Sequence, residues 1–311
     1  MGLCNAALAL IPGKAKRTVA LIVHMPMPWR IKMSPLKSIL VHVDTSPQCP
    51  VRLAQAQMLA EAHGCEVTAL FAASPTDLQY PFGMAPGLEV TAMAGAIESR
   101  RREQARAHFD AAVAAGAHRL QWAELRPDQS LVAFTRRALY ADLVLLGQHD
   151  STRGAVLDVP ADFVEWSLND SGKPALVLPY TSRRALPMRT ALVAWKESRE
   201  AARALSAALP LLRQAQKVHV VMWNDSQTPH SPADAAPLLA CLQQHGVVAE
   251  VHPQGPATSQ LGDHLLSLSA DLGADLLVMG CYGHARIREW VTGGVTRTVL
   301  ASMTLPVLMS H

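Results

Sequence analysis

The sequence predicts an α/β fold built twice. Short apolar runs alternate with segments of helical period along almost the whole chain, and the alternation restarts after a polar, proline-containing connector at 180–188 (YTSRRALPM). The strand sequences of the second series also repeat those of the first. Strands alternating with helices at this spacing form parallel βαβ units, so the expected architecture is two tandem five-stranded parallel-sheet domains of Rossmann-like type. The expected divisions are an N-terminal extension over 1–32, a first domain over 33–180 and a second over 187–311.

The elements follow in order. Residues 1–32 hold Lys14, Lys16, Arg17, Arg30 and Lys32 with no acid, a charge of +5. Met33-Ser-Pro-Leu runs straight into a strand, so translation is expected to begin at Met33, or the first 32 residues to be a loosely attached arm. Ile39–Val43 reads as a strand, and Val51–His63 as a helix closed by Gly64. A second strand over Val67–Phe71 leads through a Pro/Gly/Ser-rich loop to a long alanine-rich helix, Leu88–Ala115, whose Arg100, Arg101, Arg102 and Arg106 are expected to form a solvated face. Leu120–Leu125 is a strand, Ser130–Tyr140 a helix, Leu143–Gly147 a strand, and Pro174–Pro179 the fifth strand. After the connector come a strand over Ala191–Trp195, a helix over Glu197–Leu209 ended by Pro210, and a strand over Val218–Trp223. A helix over Pro232–His245, a strand over Val247–Val251, a helix over Ser259–Leu272 and strands over Leu276–Met279 and Leu305–Met309 complete the series.

The duplication is explicit in sequence. Ile39-Leu-Val-His-Val-Asp44 answers Ala191-Leu-Val-Ala-Trp-Lys196 at an offset of 152, and Ala141-Asp-Leu-Val-Leu-Leu-Gly147 answers Ala274-Asp-Leu-Leu-Val-Met-Gly280 at 133. The difference, 152 − 133 = 19 residues, is expected to come from the second helix and its loop.

Composition narrows the function classes. The net charge is +3, so the 279 residues after the basic extension sum to 3 − 5 = −2, which removes the main argument for binding a nucleic-acid backbone. No apolar run approaches the roughly 18 residues of a membrane span. The five cysteines are scattered and include no C-x-x-C pair, which points to a reducing compartment and no cysteine metal site. A cytoplasmic protein is expected.

One stretch carries chemistry. After Leu276–Met279 come Gly280, Gly283, Gly293 and Gly294, then a helical segment with apolar residues at 295, 299, 300 and 303. Strand, glycine loop and helix start in that order can bind an anion, because glycine lets backbone N–H groups approach a phosphate and the helix N-terminus adds its dipole. A glycine-rich turn without a ligand is the plain alternative. The P-loop, the Rossmann G-x-G-x-x-G, the G-x-S-x-G elbow and H-E-x-x-H are all absent, so no catalytic residues and no metal ligands are expected. His42, His219 and His252 lie on strand patterns as packed histidines.

The pattern G-x2-G-x9-G from Gly280 to Gly293 resembles the nucleotide signature of the universal stress protein family, a resemblance that extends over about residues 35–310. It implies the strand order 3-2-1-4-5 in each half, a ligand pocket between the ends of the first and fourth strands, and a role in sensing or surviving stress. It also implies ATP or another adenine nucleotide, with or without Mg2+, at Gly280, Gly283, His284, Gly293, Gly294, Val295, Thr296, Arg297, Trp195 and Lys196. His284, Arg286, Arg288 and Arg297 could neutralise phosphate or be solvated loop charge. Trp195 could be a base platform or simple packing.

Two departures stand out. Lys196 replaces the family's aspartate, and Gly294 its Ser or Thr, for which Thr296 is a substitute. In the first half Asp44 is present, but Asp150 and Pro160 occupy the second and third glycine positions, and proline cannot donate to phosphate. The first half is therefore expected to be a structural or regulatory copy. The family's pairing through last strands implies that Pro174–Pro179 faces Leu305–Met309 within one chain, or that chains form a homodimer. An unidentified protein partner is also expected, without nucleic acid or membrane. The rivals are a slow ATPase or phosphoryl-transfer enzyme, using Glu289 or Asp275 as its carboxylate, and a scaffold with a vestigial loop.

Overall fold

The structure, a computed structural model, describes residues 36–73, 88–125, 131–153, 158–224, 232–256, 260–281 and 294–311. Ten strands form one sheet: β1 (Ser38–Val43), β2 (Glu66–Phe71), β3 (Leu120–Glu124), β4 (Leu143–Gly147), β5 (Ala175–Leu178), β6 (Thr190–Ala194), β7 (Lys217–Asn224), β8 (Glu250–Pro256), β9 (Leu276–Gly280) and β10 (Val307–Ser310). Their spatial order is β3-β2-β1-β4-β5-β10-β9-β6-β7-β8, so each half has the expected 3-2-1-4-5 order. Neighbouring strands are parallel except where the halves meet. There β5 and β10 run antiparallel, with Leu176 opposite Leu308, and the intrachain pairing expected from the sequence is formed.

Side chains alternate across this sheet with the period of 2 that strands impose. Ile39, Val41 and Val43 enter one core and Leu40 the other; Leu308 joins the first, Val307 and Met309 the second. The first core is closed by α1 (Cys49–His63), α2 (Leu88–Ala114), α5 (Arg199–Leu212) and α6 (Ala236–Gln244). The second is closed by α3 (Val132–Ala138), α4 (Phe163–Ser171), α7 (Leu261–Asp271) and α8 (Gly294–Ser302). With both faces covered, the strands can be the continuous apolar runs seen in sequence. The residues missing from the second copy are those of its second helix, 27 residues in α2 against 9 in α6.

The repeated Ala-Asp-Leu has a structural reason. The Asp142 carboxylate accepts from the Lys37 and Ser38 N–H groups at 2.8 and 3.0 Å. Its counterpart Asp275 accepts from those of Arg189 and Thr190, both at 2.8 Å. Each aspartate therefore ties the entry of its half's fourth strand to the entry of its first.

Three elements depart from the expectation. Helix α4 was not anticipated, although Phe163, Val164 and Leu168 are buried and Gly172, at φ 59°, caps it. Helix α5 runs through Pro210 to Leu212, starting from Ser198, whose hydroxyl caps the Ala201 N–H. An interior proline costs about 3 kcal/mol. Burying Leu211 and Leu212, 4% and 1% exposed, contributes about 1.5–3 kcal/mol each, enough to carry the helix onward. Strand β8 begins at Glu250, not Val247, and includes Pro253 and Pro256, which the sheet edge accommodates because an edge strand has unpaired N–H positions.

The residue after β4 fastens the halves together. Buried Gln148 donates to the Leu300 and Ala301 carbonyls of α8 at 2.8 and 3.1 Å, and its side-chain oxygen accepts from the Tyr180 N–H at 3.0 Å. Truncation in Gln148→Ala is expected to lower stability by about 1–3 kcal/mol by leaving these groups unsatisfied. A shift in the urea midpoint checks this, and a wild-type midpoint would show that the contact contributes nothing.

Candidate functional site

In an open parallel sheet a ligand site lies beyond the strand ends where strand order reverses. This chain has two such places, at β1/β4 and at β6/β9.

The first is filled by charge pairs. Asp44, 8% exposed, lies 2.8 Å from Arg52 Nη2 and 3.6 Å from His42 Nδ1, and accepts from the Ser46 N–H and hydroxyl at 2.9 and 2.6 Å. Burial alone would raise the Asp44 carboxyl, but Arg52, His42 and Ser46 outweigh it and hold the group well below the ordinary carboxylate range. Arg52 is 2% exposed, and its Nε donates to the His42 carbonyl at 2.8 Å. Its guanidinium lies where a Cβ on Gly147 would be. A second pair joins Asp158 to Arg101 at 3.3 Å, and the Thr45 N–H donates to the same carboxylate. The cavity beside these groups amounts to about 50 Å3, far below the roughly 300–1,000 Å3 of small-molecule sites. His42 is a packed histidine, bonded to the Ala72 carbonyl at 2.8 Å and set against Phe134 and Phe163; burial pushes its pKa down.

Of the four arginines expected to form a solvated face, Arg100 and Arg106 are exposed, and three have acidic partners. Arg101 reaches Asp158, Arg102 lies 3.2 Å from Glu124, and Arg106 pairs with Asp110 while stacking over Phe109 and Trp122.

At the second place β9 ends at Gly280 beside the first turn of α5. A Cβ on Gly280 would lie 2.5 Å from the Ala201 nitrogen and 2.7 Å from the Glu200 carbonyl carbon. By the 152-residue offset, Arg52 corresponds to Ala204, so this half has no arginine at the equivalent helix position. Trp195 is half-buried and packs on the first core; Lys196 is exposed. Gly294 and Arg297 are exposed at the start of α8, Val295 is half-buried, and Thr296 is buried. Arg297 is close enough to Glu165 of the first half to oppose the upward push that burial gives that carboxyl. Gly283, His284 and Gly293, with Arg286, Arg288 and Glu289, lie outside the described residues. Among the residues described, the strand end thus brings together Gly280, Trp195 and Lys196.

Sequence reasoning missed Arg52, Asp158 and Glu200. Arg52 could have been found, since it lies on the α1 face otherwise formed by Cys49, Leu53, Ala56 and Ala60. Asp275, a carboxylate considered for catalysis, sits at the opposite end of β9 on the backbone of residues 189 and 190.

The fold and its two strand-end sites define a duplicated, doubly wound α/β chain. Residues 35–159 match the universal stress protein family. A universal stress protein of Synechocystis is 26% identical over 169 residues, which span 54% of this chain and 57% of that relative's length. A universal stress protein of Archaeoglobus fulgidus superposes on 88% of this chain and 95% of its own, with a TM-score of 0.65 and 17% identity. A Pseudomonas aeruginosa protein of unknown function superposes on 88% of this chain and 92% of its own, at a TM-score of 0.55 and 16% identity. The match to the universal stress protein family lies in the first half, and the fold of that half is present twice in the chain.

Proposed function

We propose that this chain is a tandem universal stress protein, a stress-response regulator that binds one adenine nucleotide of the ATP class, in its second half, without turning it over. The observation that carries the reading is the asymmetry between two equivalent strand ends. Beside Gly147 the Arg52–Asp44 pair occupies the space, whereas beyond Gly280 the chain continues into G-x2-G-x9-G and leaves Lys196, Gly294 and Arg297 exposed. Lys196 supplies a cation for phosphate where the family has its aspartate, and the exposed α8 N-terminus supplies N–H groups and a dipole. Binding without catalysis is favoured by the position of Asp275, which is tied to the far end of the sheet. The setting is the cytoplasm; no helix among the described residues is long and apolar enough to cross a membrane. Chains pairing into a homodimer, and docking of a protein partner, belong to the same reading.

The second reading is an interaction scaffold of the same fold, and Gly280 favours it, since close packing on α5 explains that glycine without a ligand. The two separate on addition of ATP with Mg2+. At about 100-fold excess over Kd, binding stabilises by roughly 2.7 kcal/mol, about 5 °C or more in Tm. Gly283→Asp is expected to abolish the shift. The same shift in both proteins, or in neither, contradicts nucleotide binding at this loop.

A further inference from the structure

The sheet edge of the second half carries a cluster unconnected with the strand-end site. β7 and β8 pair in parallel with His219 opposite Glu250, and His252, two residues further along β8, returns to the same face. His219 Nδ1 lies 2.9 Å from His252 Nε2 and 3.7 Å from a Glu250 carboxylate oxygen, and the three donor atoms are all within 4.8 Å of one another. His219 is buried, His252 half-buried and Glu250 exposed.

Ligands held about 2.0–2.1 Å from a zinc ion in a tetrahedral array stand roughly 3.3 Å apart. The separations of 2.9 and 3.7 Å bracket that spacing. Two ring nitrogens aimed at each other can share one proton as an N–H···N bond, or both can present lone pairs to a cation. A carboxylate on the open side adds the negative charge that favours the cation. Imidazole donors select zinc-class transition ions over Mg2+ and Ca2+, which prefer all-oxygen shells.

We infer that His219, His252 and Glu250 form a site for a divalent transition-metal ion of the zinc class. Three protein ligands leave one coordination position open, on the side where Glu250 meets solvent. Such an ion bridges β7 to the edge strand β8, whose ladder is irregular at Trp223 and Asn224. The sequence carries an E-x-H step at 250–252. In a strand this spacing sets both side chains on one face, but His219 joins them only through the register, which the sequence does not state.

The test is equilibrium dialysis of the full chain against Zn2+ after EDTA treatment, with bound metal counted by mass spectrometry. Wild type is expected to hold one more zinc per chain than His252→Ala, and Glu250→Gln to weaken that binding at least tenfold. Affinity is expected to fall in acid, because protons compete with the metal for the imidazole nitrogens. Cobalt in place of zinc is expected to give the strong visible absorption of a four-coordinate ion. Equal zinc content in wild type and His252→Ala overturns the site. If His252→Ala fails to fold, the isosteric Glu250→Gln decides, and unchanged affinity in that variant overturns the site equally.

Discussion

Gly280→Ala is expected to destabilise the protein by about 3 kcal/mol, the upper end of the usual cost of overpacking. The new Cβ would lie 2.5 Å from the Ala201 nitrogen, 2.7 Å from the Glu200 carbonyl carbon and 2.9 Å from Glu200 Cβ. Two of those atoms are backbone in the first turn of α5. That turn is held by the Ser198 cap and by the burial of Ala201, Ala204 and Leu205, so it cannot yield without moving the helix. The denaturant midpoint should fall with little change in slope, whereas a wild-type midpoint would mean that α5 and β9 separate at no cost. The consequence reaches function, because loss of nucleotide binding in Gly280→Ala would report a displaced helix as readily as a lost phosphate contact. Gly283 is the better probe of the loop.

Arg52→Ala is expected to cost about 3–5 kcal/mol, since it strips the counter-charge from a buried carboxylate. Arg52 and Asp44 are 2% and 8% exposed, so little solvent screening softens the loss. Replacing both, as Arg52→Met with Asp44→Leu, should recover most of it, because exchanging a buried pair for apolar groups is often neutral. The pH dependence has a definite sign. Asp44 is held below its unfolded value near 3.9, so its contribution is complete above about pH 4 and is lost as pH falls towards the folded value. Urea denaturation at pH 7 and pH 3 should show a steep acid loss in wild type and a shallower one in the double variant. Equal acid losses would contradict the role given to the pair.

The order of elements was legible because burial on both faces writes strands as apolar runs, and because Gly64 and the repeated Ala-Asp-Leu mark endings and beginnings. The misplaced boundaries have physical causes. At Pro210 the burial of two leucines outweighs the local penalty, and at β8 the free edge removes the objection to Pro253 and Pro256. The site was legible only in part. Glycine spacing identified the loop after β9, but a glycine required for close helix packing and one required for a phosphate look alike in sequence. Gly280 is accounted for by packing alone. Arg52, Asp158 and Arg101 converge from three separated segments, so their pairing depends on tertiary approach, as does the meeting of His219 with His252.

The most direct measurement is the number of adenine nucleotides bound per chain at saturation, by equilibrium dialysis with labelled ATP and Mg2+. One per chain is predicted, abolished by Gly283→Asp and retained in the Arg52→Met, Asp44→Leu double variant. Two per chain, or one that survives Gly283→Asp and disappears in the double variant, would place a working site in the first half and contradict the assignment of nucleotide to the second.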